Sequence, residues 1–176
     1  VRHEKQRPMV KEGYWYGLPL VLVSGGLIGF GLWGLAAFFL LLALLVLNFF
    51  RDPERRIPAD PGAIVSPADG RVVQVVEESF EGRPVRRVSI FMSPLDVHVN
   101  RSPIAGTVEG VVYRKGSFRV ASREIASVEN EQNVFTVQGE QGRVVVKQIA
   151  GLLARRIVFW KKPGDGLARG ERVGLI

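Results

Sequence analysis

A mainly β protein is the fold class this sequence predicts: a barrel-sandwich-like soluble domain carrying an N-terminal transmembrane or re-entrant helical hairpin. Three observations predict it. In a chain of 176 residues with net charge +7, residues 14–50 contain no Asp, Glu, Lys or Arg at all. The 126 residues after Phe50 have an ordinary soluble composition, with 20 Lys/Arg and 15 Asp/Glu. Within that part, short β-branched runs recur between Gly, Pro and Asn, the pattern of closely spaced strands.

The elements follow in chain order. Residues 1–13 read as a cationic cytoplasmic segment, with Arg2, Lys5, Arg7 and Lys11. Residues 14–50 would make a helix of about 55 Å, too long for one crossing of a hydrocarbon core of about 30 Å. A break near Gly29, Gly31 and Gly34 turns it into a hairpin of Leu18–Phe30 and Leu35–Phe50. Tyr14, Trp15 and Tyr16 suit a headgroup layer, and Arg51, Arg55 and Arg56 follow the hairpin. Positive charge on both flanks predicts a cell-membrane protein with its soluble domain on the cytoplasmic face. Residues 51–62 read as a linker and 63–176 as the β domain. Its expected strands are Arg71–Glu77, Val85–Met92, Gly106–Tyr113, Asn133–Gln138, Arg143–Ile149 and Arg155–Trp160, with a helical turn within Phe118–Ser127.

An internal echo supports a pseudo-symmetric β unit. Ser66-Pro67-Ala68-Asp69-Gly70, leading into a valine-rich run, returns 36 residues later as Ser102-Pro103-Ile104-Ala105-Gly106. A weaker copy, Ile149-Ala150-Gly151, precedes Ile157 and Val158. The tail Lys162–Gly174 is similar to the hairpin of lipoyl- and biotinyl-carrier folds, a likeness that bears on fold and not on function.

Composition narrows the chemistry. With no cysteine and two histidines, the chain has no thiolate nucleophile or cysteine-built zinc site, and little from which to build a histidine metal site. The +7 charge admits nucleic acid, but beside a hydrophobic hairpin an anionic membrane is the better partner. His98, the one histidine after the hairpin, has a reference pKa of about 6.5 suited to proton exchange at neutral pH; a structural histidine is the alternative. Asp69 sits at a tight turn, where turn-forming and chemistry both call for aspartate. Asp96, two residues before His98, would share its face if both lie on a strand, and could orient the imidazole or simply begin a turn after Pro94. Arg114-Lys115-Gly116-Ser117 suits a phosphate, or equally a basic face toward anionic lipid. Asn130-Glu131-Gln132-Asn133 reads as a solvated turn before a strand.

Taken in order, Phe49-Phe50-Arg51-Asp52-Pro53-Glu54-Arg55, Ser66–Gly70, Phe91–Arg101, Pro103–Gly106, Tyr113–Phe118 and Glu129–Glu131 resemble the short prokaryotic form of phosphatidylserine decarboxylase, including its archaetidylserine-using relatives. The resemblance runs from about Gly13 to Ile176. It implies a pyruvoyl-dependent lyase, self-cleaved from a proenzyme at a Gly-Ser bond into a large β chain and a small α chain. The serine becomes the pyruvoyl group, whose ketone forms a Schiff base with the substrate amine and takes up the electrons left by carbon dioxide. By this resemblance Asp69 belongs to the self-cleavage relay and His98 to proton transfer. Arg101, expected with them among the catalytic residues, stands where the long form has a second histidine. Arg114, Lys115, Ser117 and Asn130 are the expected lipid-binding residues. None of the serines here stands in a context matching the family's Gly-Ser cleavage site, which the resemblance places just beyond Ile176, so the chain is expected to be the β chain, inactive without its α chain, in a homodimer of αβ units. A non-catalytic membrane adaptor with a lipoyl-like domain is the alternative.

Overall fold

The computed structural model describes residues 8–119 and 126–176, in two compact units: the chain up to Arg55 together with Leu95–Val97, and Arg56–Pro94 together with His98–Ile176. Arg2, Lys5 and Arg7 lie outside the described residues, as do 120–125 of the expected helical turn.

The first unit is a helical hairpin: α1 (Lys11–Gly29) and α2 (Trp33–Phe49). The break falls at Gly31, whose φ of +74° is left-handed backbone open to glycine. Small residues let the helices approach closely. Gly13, Gly17 and Ser24 of α1 and Ala36 and Ala43 of α2 are buried, and Ser24 Oγ donates to Ala36 O at 2.8 Å. A Cβ at Gly17 would come within 2.4 Å of Leu47 Cδ2. The hairpin's ends are tied by Asp52 N–H to Pro8 O at 2.8 Å, and Arg51 donates to Leu95 O at 2.7 Å. Neither helix is long and apolar enough to cross a membrane. The 17 residues of α2 rise only about 25 Å, and α1, though 19 residues long, begins with Lys11 and Glu12. The expectation of two full spans is therefore not supported; what forms is a short hairpin.

The second unit is mainly β. Strands β1 (Arg71–Phe80) and β2 (Arg83–Phe91) form an antiparallel ribbon. Its two-residue turn, Glu81-Gly82, has positive φ at both positions, the twist that suits a tight hairpin. Then come β3 (Val99–Arg101), β4 (Gly106–Arg114), the turn of helix α3 (Ala126–Glu129), β5 (Gln132–Gly139), β6 (Gly142–Ile149), β7 (Val158–Phe159), β8 (Gly166–Leu167) and β9 (Arg172–Leu175). They make a three-stranded sheet ordered β3-β9-β7 and a four-stranded sheet ordered β6-β5-β4-β8. One core joins the two sheets. Val108, Phe135, Val137 and Leu167 from the larger sheet pack with Val173 from the smaller and with Ile104. Phe159 of β7 lies with its ring centroid 4.7 Å from that of Phe135.

Five of the six expected strands form at about their expected places, and the sixth shrinks to Val158–Phe159. The lipoyl-like hairpin does not form: β8 pairs with β4, whereas β9 enters the other sheet. The 36-residue echo is real, but at the level of turns. Ser66 Oγ donates to Ala68 O at 2.6 Å and Ser102 Oγ to Ile104 O at 2.7 Å, the same local bond in both copies. The copies also bond each other reciprocally, Val65 N–H to Pro103 O at 3.0 Å and Arg101 N–H to Pro67 O at 2.8 Å. Shifting one bond by 36 residues yields the other, so a local dyad relates the turns. The strands they launch part company, β1 into the ribbon and β4 into the four-stranded sheet.

Candidate functional site

His98 is fixed by three-stranded pairing. The β3–β9 register sets Val99 against Leu175, and the ladder continues one step further, with Ile176 N–H donating to His98 O at 3.3 Å. The imidazole is only 5% exposed. A buried histidine on a central pairing is held in one place, which a proton-transfer group requires.

The dyad brings Asp69 to this strand. Pro67 O accepts from Arg101 N–H, so the Ser66–Gly70 turn lies alongside β3, with Asp69 half-buried two residues further on. The second copy has Ala105 at the position equivalent to Asp69, and its turn keeps the same Ser Oγ bond. The turn itself therefore does not need an aspartate, and Asp69 marks the place where the two copies differ in chemistry. Glycine follows in both copies for a shared steric reason. A Cβ at Gly70 would lie 2.4 Å from Phe91 O, and one at Gly106 2.2 Å from Gln138 O. Asp96 lies in the turn at 94–96 and not on a strand, which is the turn reading and not the shared strand face.

Arg101 has a second joint to make. Its Nη1 donates to Gly170 O at 3.1 Å, and Ser102 N–H to Glu171 O at 2.8 Å, pinning the 168–171 turn that leads into β9.

The cations sit at the far end of β4. Arg114 closes that strand opposite Gln132, and Arg114, Lys115 and Ser117 are exposed. Register places this end in line with the buried polar side of the sheet: Tyr113 pairs with Asn133, and Asn133 with Gln148. The loop is clamped from behind. Ser117 N–H donates to Glu129 O at 2.7 Å and Glu131 N–H to Ser117 O at 3.0 Å. A Cβ at Gly116 would lie 2.4 Å from Glu129 O, so glycine permits that approach. Tyr113 donates its phenolic proton to Glu131, and this hydrogen bond, with burial and the carboxylate's charge behind it, raises the phenol above its ordinary value.

Asn130 does not face solvent. Its Oδ1 accepts from Arg119 N–H at 2.9 Å, and its Nδ2 donates to Arg119 O at 2.9 Å and Ala150 O at 2.8 Å. Its role is to hold the loop that carries Ser117. The expected solvated turn at 130–133 is in fact interior: Asn130, Gln132 and Asn133 are 2%, 4% and 2% exposed. Polar residues before a strand look solvated in sequence when their partners, here Arg119, Gln148 and Ala150, lie outside the local window. Gln148 escaped notice for the same reason, and Asn100, though inside the His98–Arg101 motif, because its partner Gln148 lies 48 residues away. Among the described residues no group of three or more His, Asp or Glu side chains is placed to hold a metal ion.

A family model described as phosphatidylserine decarboxylase matches residues 42–176. A protein of Solibacter usitatus named phosphatidylserine decarboxylase proenzyme is 59% identical over 137 residues, 78% of this chain; the chain spans 65% of that relative, a little under two thirds. Relatives of the same name from Carboxydothermus hydrogenoformans and Symbiobacterium thermophilum are 48% and 45% identical over 96% and 98% of this chain, which covers 80% and 82% of their lengths.

Proposed function

Because the chain belongs to the phosphatidylserine decarboxylase family, we propose that it is the β-chain part of an enzyme that removes carbon dioxide from the serine headgroup of phosphatidylserine, leaving phosphatidylethanolamine. The observation that carries this reading is that the family match at 42–176 takes in every candidate residue, Asp69, His98, Arg101, Arg114, Lys115, Ser117 and Asn130. The relatives are named proenzymes, which supports an α chain cut from the same precursor as the partner.

A pyruvoyl group, the cofactor that the resemblance implies, supplies when bound a carbonyl able to accept the electron pair left by departing carbon dioxide. The donor set is suited to it. A keto group needs no metal ligands but does need a proton donor held close, and His98 is a buried imidazole on the strand that pairs with β9. His98 returns a proton to the headgroup carbon from its ring nitrogen, a step worth about 10²–10⁴ in rate for such a group. Asp69, on the turn bonded to Arg101, serves the cleavage of the precursor. Arg114 and Lys115 hold the lipid phosphate by charge. Arg101 and Asn130 act by holding the turn before β9 and the loop around Ser117.

The hairpin gives access to the lipid. Trp15, Leu22, Phe30 and Trp33 are 79%, 72%, 83% and 67% exposed, an apolar surface suited to shallow insertion from one face of the cell membrane. Lys11 before it and Arg55 and Arg56 after it favour the cytoplasmic face. Homodimeric αβ units belong to the same reading.

The test uses the full-length precursor in phosphatidylserine vesicles. Phosphatidylethanolamine and carbon dioxide should appear with the wild type, and His98→Ala should lower kcat by about 100-fold or more. Asp69→Ala should leave one uncleaved band on a denaturing gel. Absence of turnover by the wild type, or full turnover by His98→Ala, would sink the reading.

A further inference from the structure

Three buried amide side chains form a line that none of the roles above uses. Gln148, on β6, is 2% exposed. Its Oε1 accepts from Asn133 Nδ2 on β5 at 2.8 Å, and its Nε2 donates to Asn100 Oδ1 on β3 at 2.9 Å. Asn100 Nδ2 in turn points to Met92 Sδ at 3.8 Å. Strands β5 and β6 belong to the four-stranded sheet and β3 to the other, so Gln148 makes a side-chain hydrogen bond from one sheet to the next.

The third strand meets the same amide. Gly174 of β9 is the cross-strand partner of Asn100, and a Cβ there would lie 3.2 Å from Gln148 Nε2 and 2.2 Å from Val158 O. Glycine at 174 thus leaves free the space beside Gln148 Nε2 that a Cβ would crowd, at the point where β9 pairs with Asn100. An apolar residue would fill this space without the need to satisfy buried donors and acceptors, and Phe135, Val137 and Val173 already seal the core nearby. A fully satisfied buried network instead selects one arrangement of the strands it joins.

That arrangement is the one that sets His98. The β3–β9 ladder runs through Asn100 opposite Gly174 and Val99 opposite Leu175 to the Ile176–His98 bond. On this extended backbone His98 and Asn100, two apart, share a face. We propose that Gln148 and Asn100 are positioning residues: their hydrogen bond anchors β3 to β6 of the other sheet, at the point where β3 pairs with β9, and so sets the place of the His98 imidazole. The proposal rests on the reading of His98 as the proton-transfer group of a phospholipid decarboxylase.

Two variants of the full-length precursor test it. Gln148→Met keeps the length of the side chain and loses both hydrogen bonds. Gln148→Glu keeps the acceptor for Asn133 and loses the donor to Asn100. Both should lower kcat on phosphatidylserine vesicles about tenfold or more with KM within about twofold. Both should also move or double the imidazole nitrogen NMR signals of His98, identified by their loss in His98→Ala. If Gln148→Met does not fold, Gln148→Glu carries the comparison. Near-wild-type kcat with unmoved imidazole signals overturns the proposal. A raised KM with unmoved signals overturns it too, since that pattern belongs to lost packing. A wild type that is inactive on phosphatidylserine overturns the decarboxylase reading alone, and shifted imidazole signals in the variants would still uphold the positioning role.

Discussion

Asn130 and the pair Arg114-Lys115 stand close in the fold and differ in what they do. Asn130 uses its whole amide on three backbone groups, two on Arg119 and one on Ala150. Asn130→Ala should therefore cost about 2–3 kcal/mol, because buried partners are left unsatisfied. A urea titration would read this as a lower midpoint at unchanged slope. Arg114→Ala with Lys115→Ala removes only exposed side chains, so stability should hold within about 0.5 kcal/mol. Under the decarboxylase reading, KM for vesicle phosphatidylserine should rise several-fold; an unchanged KM would return these cations to a general basic surface. Beside them, the Tyr113 phenol is raised first by its hydrogen bond to Glu131. The stabilisation this gives is fully present below the ordinary tyrosine value, and it is lost as pH climbs through the raised one. Tyr113→Phe should remove the latest part of the alkaline tyrosine titration followed by ultraviolet absorbance.

The elements teach a different lesson about what can be read from sequence. Turns and helices depend on neighbours in the chain, and these were legible: the break at Gly31, the paired Ser-Pro turns, and strands β1, β2, β4, β5 and β6. The repeat also carries a test of its own. Gly70→Ala and Gly106→Ala each drive a Cβ into a backbone carbonyl, of Phe91 and of Gln138, and Gly70 has in addition a φ of +130°. Each should destabilise by about 1–3 kcal/mol or more. Gly166→Ala, with nothing within 4 Å of its added Cβ, should leave the thermal midpoint nearly unchanged. Equal effects at all three positions would show that the turns do not depend on close backbone approach. What sequence concealed was pairing at long range. Val99–Arg101 reads as a chemical motif because three residues are too few for a strand pattern, and the tail reads as a hairpin because its two arms are adjacent in the chain. Their true partners lie far away.

At the scale of the whole molecule, the candidate residues fall in two places, the turn of Asp69 with His98 and Arg101 along β3, and Arg114, Lys115, Ser117 and Asn130 at the end of β4. Asp69 reaches β3 through the dyad of turns, His98 is held by β9, and Gln148 ties both sheets at that point. The residue types were legible in their motifs; the joining of the two turns was not, since no local period records a reciprocal bond between copies 36 residues apart. The central place of β9 has a consequence for biosynthesis. Strand β3 gains its partner only when residues 172–175 exist, and these are made 73 residues after Val99. At roughly 5–20 residues per second, a ribosome takes several seconds to bridge that interval. Throughout it the nascent chain carries His98 beside a strand without its β9 partner, so any chemistry that depends on this pairing waits for β9 to be translated and docked. The order of synthesis thus sets the earliest moment at which the histidine is in place.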